Sequence, residues 1–211
     1  MLYNLGMSSL SILPPNWYEQ DVVSAAQELL GKRLVRLVEG QRVGGIIIET
    51  EAYRGEEDLA CHARAGYTPR TKVMYGPPGR AYVYFTYGMH WLLNVVCMAE
   101  GYPAAVLIRA IQPLEGIEII ARRRAGQPPA RWTDGPAKLT TALDIDVRLN
   151  GADLTSPASQ LWIEDAPLPP GAIILPSARI GIQRVPEPWR SMPWRFTLNL
   201  DNSTGQVNPI K

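Results

Sequence analysis

The sequence predicts an α+β fold with a mainly antiparallel β-sheet, and three observations support this class. Segments with the composition of strands follow one another in runs, and helical segments do not alternate with them as they would around a parallel sheet. The 19 prolines and 18 glycines imply short elements joined by many loops. The chain has 211 residues, 46% of them hydrophobic, which suits one compact domain or at most two small ones.

The first part of the chain predicts one helix, two strands and a long loop. Asp21 can cap a helix that Gly31 ends. Two strands follow around a turn at Glu39–Gln41. Residues 54–80 are rich in polar side chains, glycine and proline, which predicts mostly loop.

The remainder of the chain predicts two helices among several strands. One helix, over "PLEGIEIIARRRA", would carry Pro113 in its first turn, and a second would begin near Pro136. Each of the last four predicted strands is bounded by proline, glycine or asparagine. The strands are "AYVYFTY", "HWLLNVVCM", "AAVLIRAI", "QLWIED", "AIILP", "ARIGI" and "RFTLNL".

Positive charge is concentrated in this chain rather than abundant. The formal net charge is +1, yet no acidic residue occurs between Asp58 and Glu100. That window holds both histidines, seven of the seventeen aromatic residues and four basic residues, which are Arg64, Arg70, Lys72 and Arg80. A second basic run includes Arg122–Arg124 and Arg131. Clustered cations among aromatic rings are typical of surfaces that bind phosphates and stack bases, although a solvated loop without acids is the alternative.

Several classes of protein are disfavoured by composition. Cys61 and Cys97 fit no zinc spacing and no disulfide framework, and free thiols suggest a reducing compartment. Two histidines are too few for a multi-histidine metal site, so we expect no metal and no cofactor. The N-terminus lacks the pattern of a signal peptide, and no apolar run has the length of a membrane span. We therefore expect a protein that is neither secreted nor held in a membrane.

One strand carries a candidate catalytic group. In "IIIETEAY", alternation places Ile47, Glu49, Glu51 and Tyr53 on one face. A solvent-facing strand end is the ordinary interpretation of the two glutamates. However, His62 follows after a short loop and Arg109 ends an apolar strand, where an unpaired guanidinium is costly to bury. If Glu51, His62 and Arg109 converged, they could hold a water beside an ionised carboxylate, as a general base requires.

Five blocks of the sequence together resemble the alkyladenine DNA glycosylase family, also called N-methylpurine or 3-methyladenine DNA glycosylases. They occur in one order between about Tyr18 and Leu200. The resemblance implies a single mixed domain over residues 1–211 with a curved antiparallel sheet, an N-terminal segment 1–17 and a C-terminal tail 201–211. The blocks are "IIIETEAYRGEEDLACHA", "TPR", "MYGPPGRAYVYFTYGMHWLLNVV", "AVLIRAIQPLEG" and "DGPAKLTTAL".

The resemblance also implies roles for individual residues. Glu51 matches the catalytic base and would bind the attacking water with Arg109 and the main chain of residues 106–108. Tyr84 matches one wall of the pocket for the flipped base, and Tyr53 and the His62 ring match the opposing wall. The His62 amide matches the donor that reads the purine 6-position, and Asn94 matches the residue that excludes guanine. Tyr87 matches the wedge that enters the DNA. The remaining matches are Ala60 and Leu107, which would bind substrate, and Arg70, Met74, Met89 and Lys138, which would contact DNA. His90 departs from relatives, which often carry an aromatic residue such as tyrosine there.

The implied activity is removal of alkylated or deaminated purines from double-stranded DNA. The substrates would include 3-methyladenine, 7-methylguanine, ethenoadenine and hypoxanthine, and an abasic site would remain. No lysine occurs in the matched catalytic block, so no strand cleavage through a Schiff base is expected. We expect a monomer in the cytoplasm, at a bacterial nucleoid, or in a nucleus. A non-catalytic nucleic-acid-binding domain and a nucleoside hydrolase are the alternatives.

Overall fold

The computed structural model of the chain describes residues 10–199. The C-terminal tail 201–211 and residues 1–9 of the predicted N-terminal segment lie outside the described residues. The described part contains eight strands and three α-helices. The strands are β1 (Arg33–Val38), β2 (Gln41–Arg54), β3 (Ala81–Thr86), β4 (His90–Val96), β5 (Ala104–Glu115), β6 (Leu161–Glu164), β7 (Ile173–Ser177) and β8 (Arg195–Asn199). The helices are α1 (Val22–Glu28), α2 (Ile117–Arg123) and α3 (Pro136–Ala142).

All eight strands form one sheet in which every pair is antiparallel, which confirms the predicted α+β class. The main order is β3-β4-β5-β2-β1-β6. The long strand β2 pairs with β5 along one edge and with β1 and then β8 along the other. It therefore connects both halves of the sheet.

Helix α1 is packed against β2 through contacts that its sequence explains. The Asp21 carboxylate accepts hydrogen bonds from the amides of Val23 and Ser24, as predicted for a cap. The Thr50 hydroxyl donates to the carbonyl of Ala26 at 2.6 Å. This bond joins the buried end of α1 to the strand that carries Glu51.

Two sequence predictions of secondary structure were wrong. Pro113 lies in β5, not in a helix, because β5 continues to Glu115 and α2 begins only at Ile117. A register shift between Gly44 and Gly45 occurs beside Pro113, and such an irregularity accommodates a residue that cannot donate to the ladder. The segment 178–182, "ARIGI", is a loop and not a strand.

A small second core fixes the long loop of residues 55–80 to the sheet. Cys61, Ala63 and Met74 from this loop pack against Tyr82, Val96 and Ala105 of strands β3 to β5. Two 3-10 helices, His62–Ala65 and Lys72–Tyr75, interrupt the predicted loop. The loop is thereby held over one face of the sheet, where it forms a wall of the pocket described next.

Candidate active site

A pocket of about 350 Å³ opens between this loop and the sheet. Its volume is at the lower end of the range for small-molecule sites. Nine of the residues singled out from the sequence line it, although they come from five different segments. They are Tyr53, Ala60, His62, Met74, Tyr84, Tyr87, Asn94, Leu107 and Arg109.

Part of the pocket floor belongs to a row of residues that oppose one another across adjacent strands and that continues beyond the pocket. The register pairs Tyr82 with Asn94, Asn94 with Leu107, Leu107 with Glu51, and Glu51 with Arg195. Directly opposed residues place their side chains on the same face of a sheet. The fold therefore brings three of the predicted residues, Asn94, Leu107 and Glu51, into one line.

Glu51 lies just beneath the pocket surface and is fully buried, at 0% exposed. Its Oε2 accepts a hydrogen bond from the Tyr53 hydroxyl at 2.8 Å, and its Oε1 accepts one from the Ile180 amide at 2.7 Å. The Arg109 Nη1 lies 3.3 Å from Oε1. These contacts exclude the alternative of a solvent-facing strand end.

The same surroundings set the ionisation of Glu51. Burial raises the pKa of Glu51 above the ordinary value of 4.5, although Arg109, the Ile180 amide and the Tyr53 hydroxyl lower it in part. A carboxylate of raised pKa is a stronger base than an exposed glutamate.

Arg109 joins Glu51 to a second carboxylate. Its Nε donates to Glu49 Oε1 at 2.7 Å. The β2–β5 register shifts on both sides of Glu49, so that Glu49 opposes Ala110 and Thr50 opposes Ile108. At the second shift Arg109 is the extra residue on β5, and bulges beside active sites commonly redirect a side chain. At the first shift Ile48 is the extra residue on β2, which interrupts the predicted alternation: Ile47 belongs to the larger hydrophobic core and not to the face of Glu49 and Glu51.

The aromatic walls differ in one respect from the prediction. The His62 ring contacts the Tyr84 ring edge-to-face, with 4.5 Å between their centroids. No base fits between two rings in direct contact, so the expectation that His62 stands opposite Tyr84 was wrong: His62 lies on the side of Tyr84. His62 Nδ1 is 2.9 Å from the Tyr82 hydroxyl. No hydrogen bond joins the His62 side chain to Glu51 or Arg109 within the described residues.

His62 is neutral near pH 7. Burial, together with Arg70 and Arg64, lowers the pKa of His62 to about 4. A neutral imidazole does not repel a positively charged ligand. The His62 amide stands at the first position of a 3-10 helix, where backbone amides have no intrahelical acceptor, whereas the Ala60 amide already donates to Asp58 at 3.0 Å.

Tyr87 projects from the turn between β3 and β4 at the rim of the pocket. It is 82% exposed, which excludes its being a core residue. Its φ of 52° lies in the left-handed region, which is uncommon for a side chain of this size, and Gly88 follows with a φ of 69°. Met89, the third residue of the turn, is also exposed. The turn thus presents a strained and solvated aromatic ring beside the pocket.

Neither a metal centre nor a membrane helix is found in residues 10–199. No group of three histidine, cysteine or acidic side chains is placed to bind a metal ion in that range. None of the helices there is both long enough and apolar enough to cross a bilayer.

The pocket lies within a stretch of sequence that matches a known protein family. The sequence model described as methylpurine-DNA glycosylase matches residues 16–202, which includes every residue of the pocket. The chain belongs to the methylpurine-DNA glycosylase family. Membership confirms the enzyme class that the motifs predicted, a DNA glycosylase that hydrolyses N-glycosyl bonds.

Similar curated proteins carry the provisional name 3-methyladenine DNA glycosylase. One from Carboxydothermus hydrogenoformans is 46% identical over 187 residues, which cover 89% of this chain and 95% of the relative. One from Methanocella arvoryzae is 46% identical over 191 residues, covering 89% and 92%. One from Chlorobaculum parvum is 45% identical and covers 87% and 85%.

The loop that covers the glycosylase pocket is held by residues that the sequence interpretation missed. Arg179 is buried and forms an ion pair with the buried Asp58. Its guanidinium lies 4.8 Å from the centre of the Tyr53 ring and 5.1 Å from that of Trp194. Arg179 precedes Ile180, whose amide donates to Glu51, so the Arg179–Asp58 pair fixes the loop of residues 178–182 over β2. The only signal was an arginine in an apolar segment.

Several cations that the sequence singled out differ in whether they pair within the protein. Arg80, Arg122, Arg123 and Lys138 each pair with a carboxylate of the protein. Arg64, Arg70 and Lys72 are exposed, and among residues 10–199 no carboxylate lies within 4.0 Å of them. Arg70 also lies 5.1 Å from the centre of the Tyr84 ring. The acid-free window near the pocket therefore keeps three cations that no carboxylate of residues 10–199 balances.

Met74 is not placed as predicted. It is 2% exposed and belongs to the small second core, where it lines the pocket. A contact with the outer surface of DNA is therefore excluded by burial, and Met74 is part of the pocket wall.

Proposed function

We propose that this enzyme excises alkylated and deaminated purines from duplex DNA by flipping the damaged nucleotide into the pocket and hydrolysing its N-glycosidic bond. The substrates are 3-methyladenine, 7-methylguanine, ethenoadenine and hypoxanthine, and the product is an abasic site. The observation that carries the proposal is the fully buried Glu51, which accepts two hydrogen bonds and pairs with Arg109 directly beneath an aromatic pocket. The names of the curated relatives support the choice of 3-methyladenine.

Glu51 would act as the general base. As the bond between base and sugar breaks, positive charge develops on the sugar, and a nearby carboxylate stabilises it. Glu51 would accept a proton from a water that attacks the sugar carbon. Arg109 would keep the carboxylate ionised and help to orient the water.

The aromatic residues suit a base that is positively charged. Tyr53 and Tyr84 both line the pocket, and base–aromatic stacking is worth about 1–3 kcal/mol per base. N3- and N7-alkylated purines carry positive charge, which adds a cation–π attraction to stacking. Because His62 is neutral, it adds no charge repulsion against a positively charged base.

Tyr87 would fill the gap that the flipped nucleotide leaves in the helix. Its exposure and its position at the pocket rim suit a wedge that offsets unstacking, which costs a few kcal/mol. No lysine lines the pocket in the part of the chain that the structure describes, so the enzyme would be monofunctional.

An excision assay tests the proposal. Duplexes that each carry one 3-methyladenine, ethenoadenine or hypoxanthine are incubated with the protein, and abasic sites are detected by strand cleavage in alkali. We expect alkali-dependent cleavage at the lesion, none without alkali, and none in the undamaged duplex. DNA binding without abasic sites on any of the three duplexes would refute the proposal.

A further inference from the structure

Behind the pocket, Glu49 links two arginines. Its Oε1 accepts hydrogen bonds from Arg109 Nε at 2.7 Å and from Arg195 Nε at 2.5 Å. Arg195 Nη1 in turn donates to the Ser177 hydroxyl at 3.1 Å. Neither Glu49 nor Arg195 lines the pocket, and their side chains are 13% and 24% exposed. Charges thus alternate along the line Glu51, Arg109, Glu49, Arg195.

The orientation of the Arg109 guanidinium determines how closely it binds the Glu51 carboxylate. Guanidinium presents a planar fork of donors that matches a carboxylate with two parallel hydrogen bonds. Here Nε donates to Glu49, whereas the closest approach to Glu51 is that of Nη1, at 3.3 Å, and no hydrogen bond joins Arg109 to Glu51 within residues 10–199. The fork is therefore turned away from a two-bond contact with Glu51. Such a contact would occupy the oxygens that must accept a proton and would lower their basicity.

Arg195 keeps Glu49 in place from the other side. It lies on β8, directly opposite Glu51 in the register, and reaches back to Glu49 on the same edge of β2. Without Arg195, the Glu49 charge would be balanced by Arg109 alone. Glu49 would then draw Arg109 more strongly and weaken its contact with Glu51.

We propose that Glu49 and Arg195 are positioning residues of the base-release step, which hold the Arg109 guanidinium at one fixed angle to Glu51. The inference rests on the proposed role of Glu51 as the base. Removing Glu49 releases Arg109 toward Glu51, and removing Arg195 draws Arg109 away from it. The two losses thus act on Glu51 in opposite directions.

The pH dependence of base release distinguishes this role from a merely structural one. The titratable and charged groups around Glu51 come from every element packed against it. They are Glu49 and Tyr53 on its own strand, Arg109 on β5, Arg195 on β8, Tyr84 on β3, and Arg179 in the covering loop, which also supplies the Ile180 amide. Glu49 raises the pKa of Glu51 and Arg109 lowers it. On the acid side of the pH–rate profile, the rate of base release falls as Glu51 becomes protonated. Loss of Glu49 should therefore move this acid limb of the profile to lower pH, and loss of Arg195 should move it to higher pH.

Single-turnover base release from an ethenoadenine duplex between pH 4.5 and 8 tests this inference in Glu49→Gln, Arg195→Gln and the double variant. We expect the plateau rate to fall up to about 100-fold in each single variant, as for a small misplacement of a catalytic group. The acid limbs should shift in opposite directions, and the double variant should lie between them. Glu49→Asp, which keeps the charge, should retain the wild-type acid limb and provides the test if Glu49→Gln does not fold.

Glu115→Gln is the matched control, because Glu115 also pairs with an arginine of the same sheet, Arg42, but lies away from the pocket. Equal rate losses without opposite shifts of the acid limb, or wild-type profiles in both variants, would overturn the inference. The proposed function fails separately, when the wild type releases no base or when Glu51→Gln releases it at the wild-type rate.

Discussion

Asn94 lies in the pocket floor with one amide hydrogen bond already made. Its Nδ2 donates to the Tyr82 carbonyl at 3.1 Å, and the side chain is buried between Tyr82 and Leu107 in the cross-strand row. This bond fixes the orientation of the amide. A fixed amide can reject a purine that carries an additional exocyclic amino group, as undamaged guanine does.

We expect Asn94→Ser to release undamaged guanine about 10-fold faster or more, because a smaller side chain removes the clash and the unpaired polar contact. Its effect on ethenoadenine should be smaller, since that base lacks the amino group. The measurement is the rate of guanine release from undamaged duplex, with a thermal melt to detect the loss of one buried hydrogen bond, about 1 kcal/mol. Unchanged guanine release in a folded variant would assign Asn94 to packing alone.

The pH dependence of wild-type base release should report one group on the acid side. Glu51 must be ionised to act, and its pKa is raised above 4.5, so the rate should fall as the pH drops through that raised value. His62, with a pKa of about 4, should add no inflection near pH 6.5. Single-turnover rates over pH 4.5–8 check this. An inflection near 6.5 that disappears in His62→Gln would contradict the assignment of a neutral His62.

At the scale of elements, strand β2 was the most predictable part of the site. Alternation placed Glu49, Glu51 and Tyr53 on one face because a half-buried strand has a strict period of two. The bulge at Arg109 and the capture of Glu51 by Ile180 could not be predicted. Both depend on contacts between segments that lie far apart in the chain, 129 residues in the case of Glu51 and Ile180. The segment "ARIGI" was predicted as a strand, yet it covers β2 as a loop.

The exposed tip of the β3–β4 hairpin should serve nucleotide flipping and not the stability of the fold. Tyr87→Ala should weaken flipping by about 1–3 kcal/mol, because the flipped state loses the ring that fills the vacated stack. The loss should be greatest for hypoxanthine, which pairs well, and least for a lesion in a mismatch or single strand. Ethenoadenine fluorescence measures the flipping equilibrium.

A second substitution separates this effect from folding. Tyr87→Asn also removes the ring but suits the left-handed backbone, so its melting temperature should not fall. Tyr67→Ala is a matched control, since Tyr67 is an exposed tyrosine that does not line the pocket. Wild-type flipping together with a much lower melting temperature in Tyr87→Ala would show that the ring serves the fold and not the DNA.

At the scale of the whole molecule, charge is distributed unevenly although its sum is only +1. The sequence contains a basic window without acidic residues between Asp58 and Glu100. The structure shows which cations of this window form ion pairs with carboxylates from elsewhere in the described chain. Arg80 forms an ion pair with Asp153, whereas Arg70 and Lys72 do not pair with a carboxylate among residues 10–199. Pairing depends on the tertiary fold, so composition alone could not separate these residues.

DNA binding should therefore depend steeply on salt, and only some cations should contribute. Arg70→Gln and Lys72→Gln should each reduce the slope of log K against log salt by about 1, as expected for the loss of one phosphate contact. Arg80→Gln should leave the slope unchanged, because its charge is balanced within the protein. Titrations over a tenfold range of salt provide the slopes, and a flat log K in the wild type would contradict the predicted surface.

The central claim is that the buried carboxylate of Glu51 releases the base. Glu51→Gln keeps the shape of the side chain and loses the charge, so it should bind ethenoadenine duplex as the wild type does. Single-turnover base release by this variant should be slower by at least about 10²–10⁴-fold, the usual contribution of general base catalysis. Release at close to the wild-type rate, with lesion binding intact, would contradict the claim.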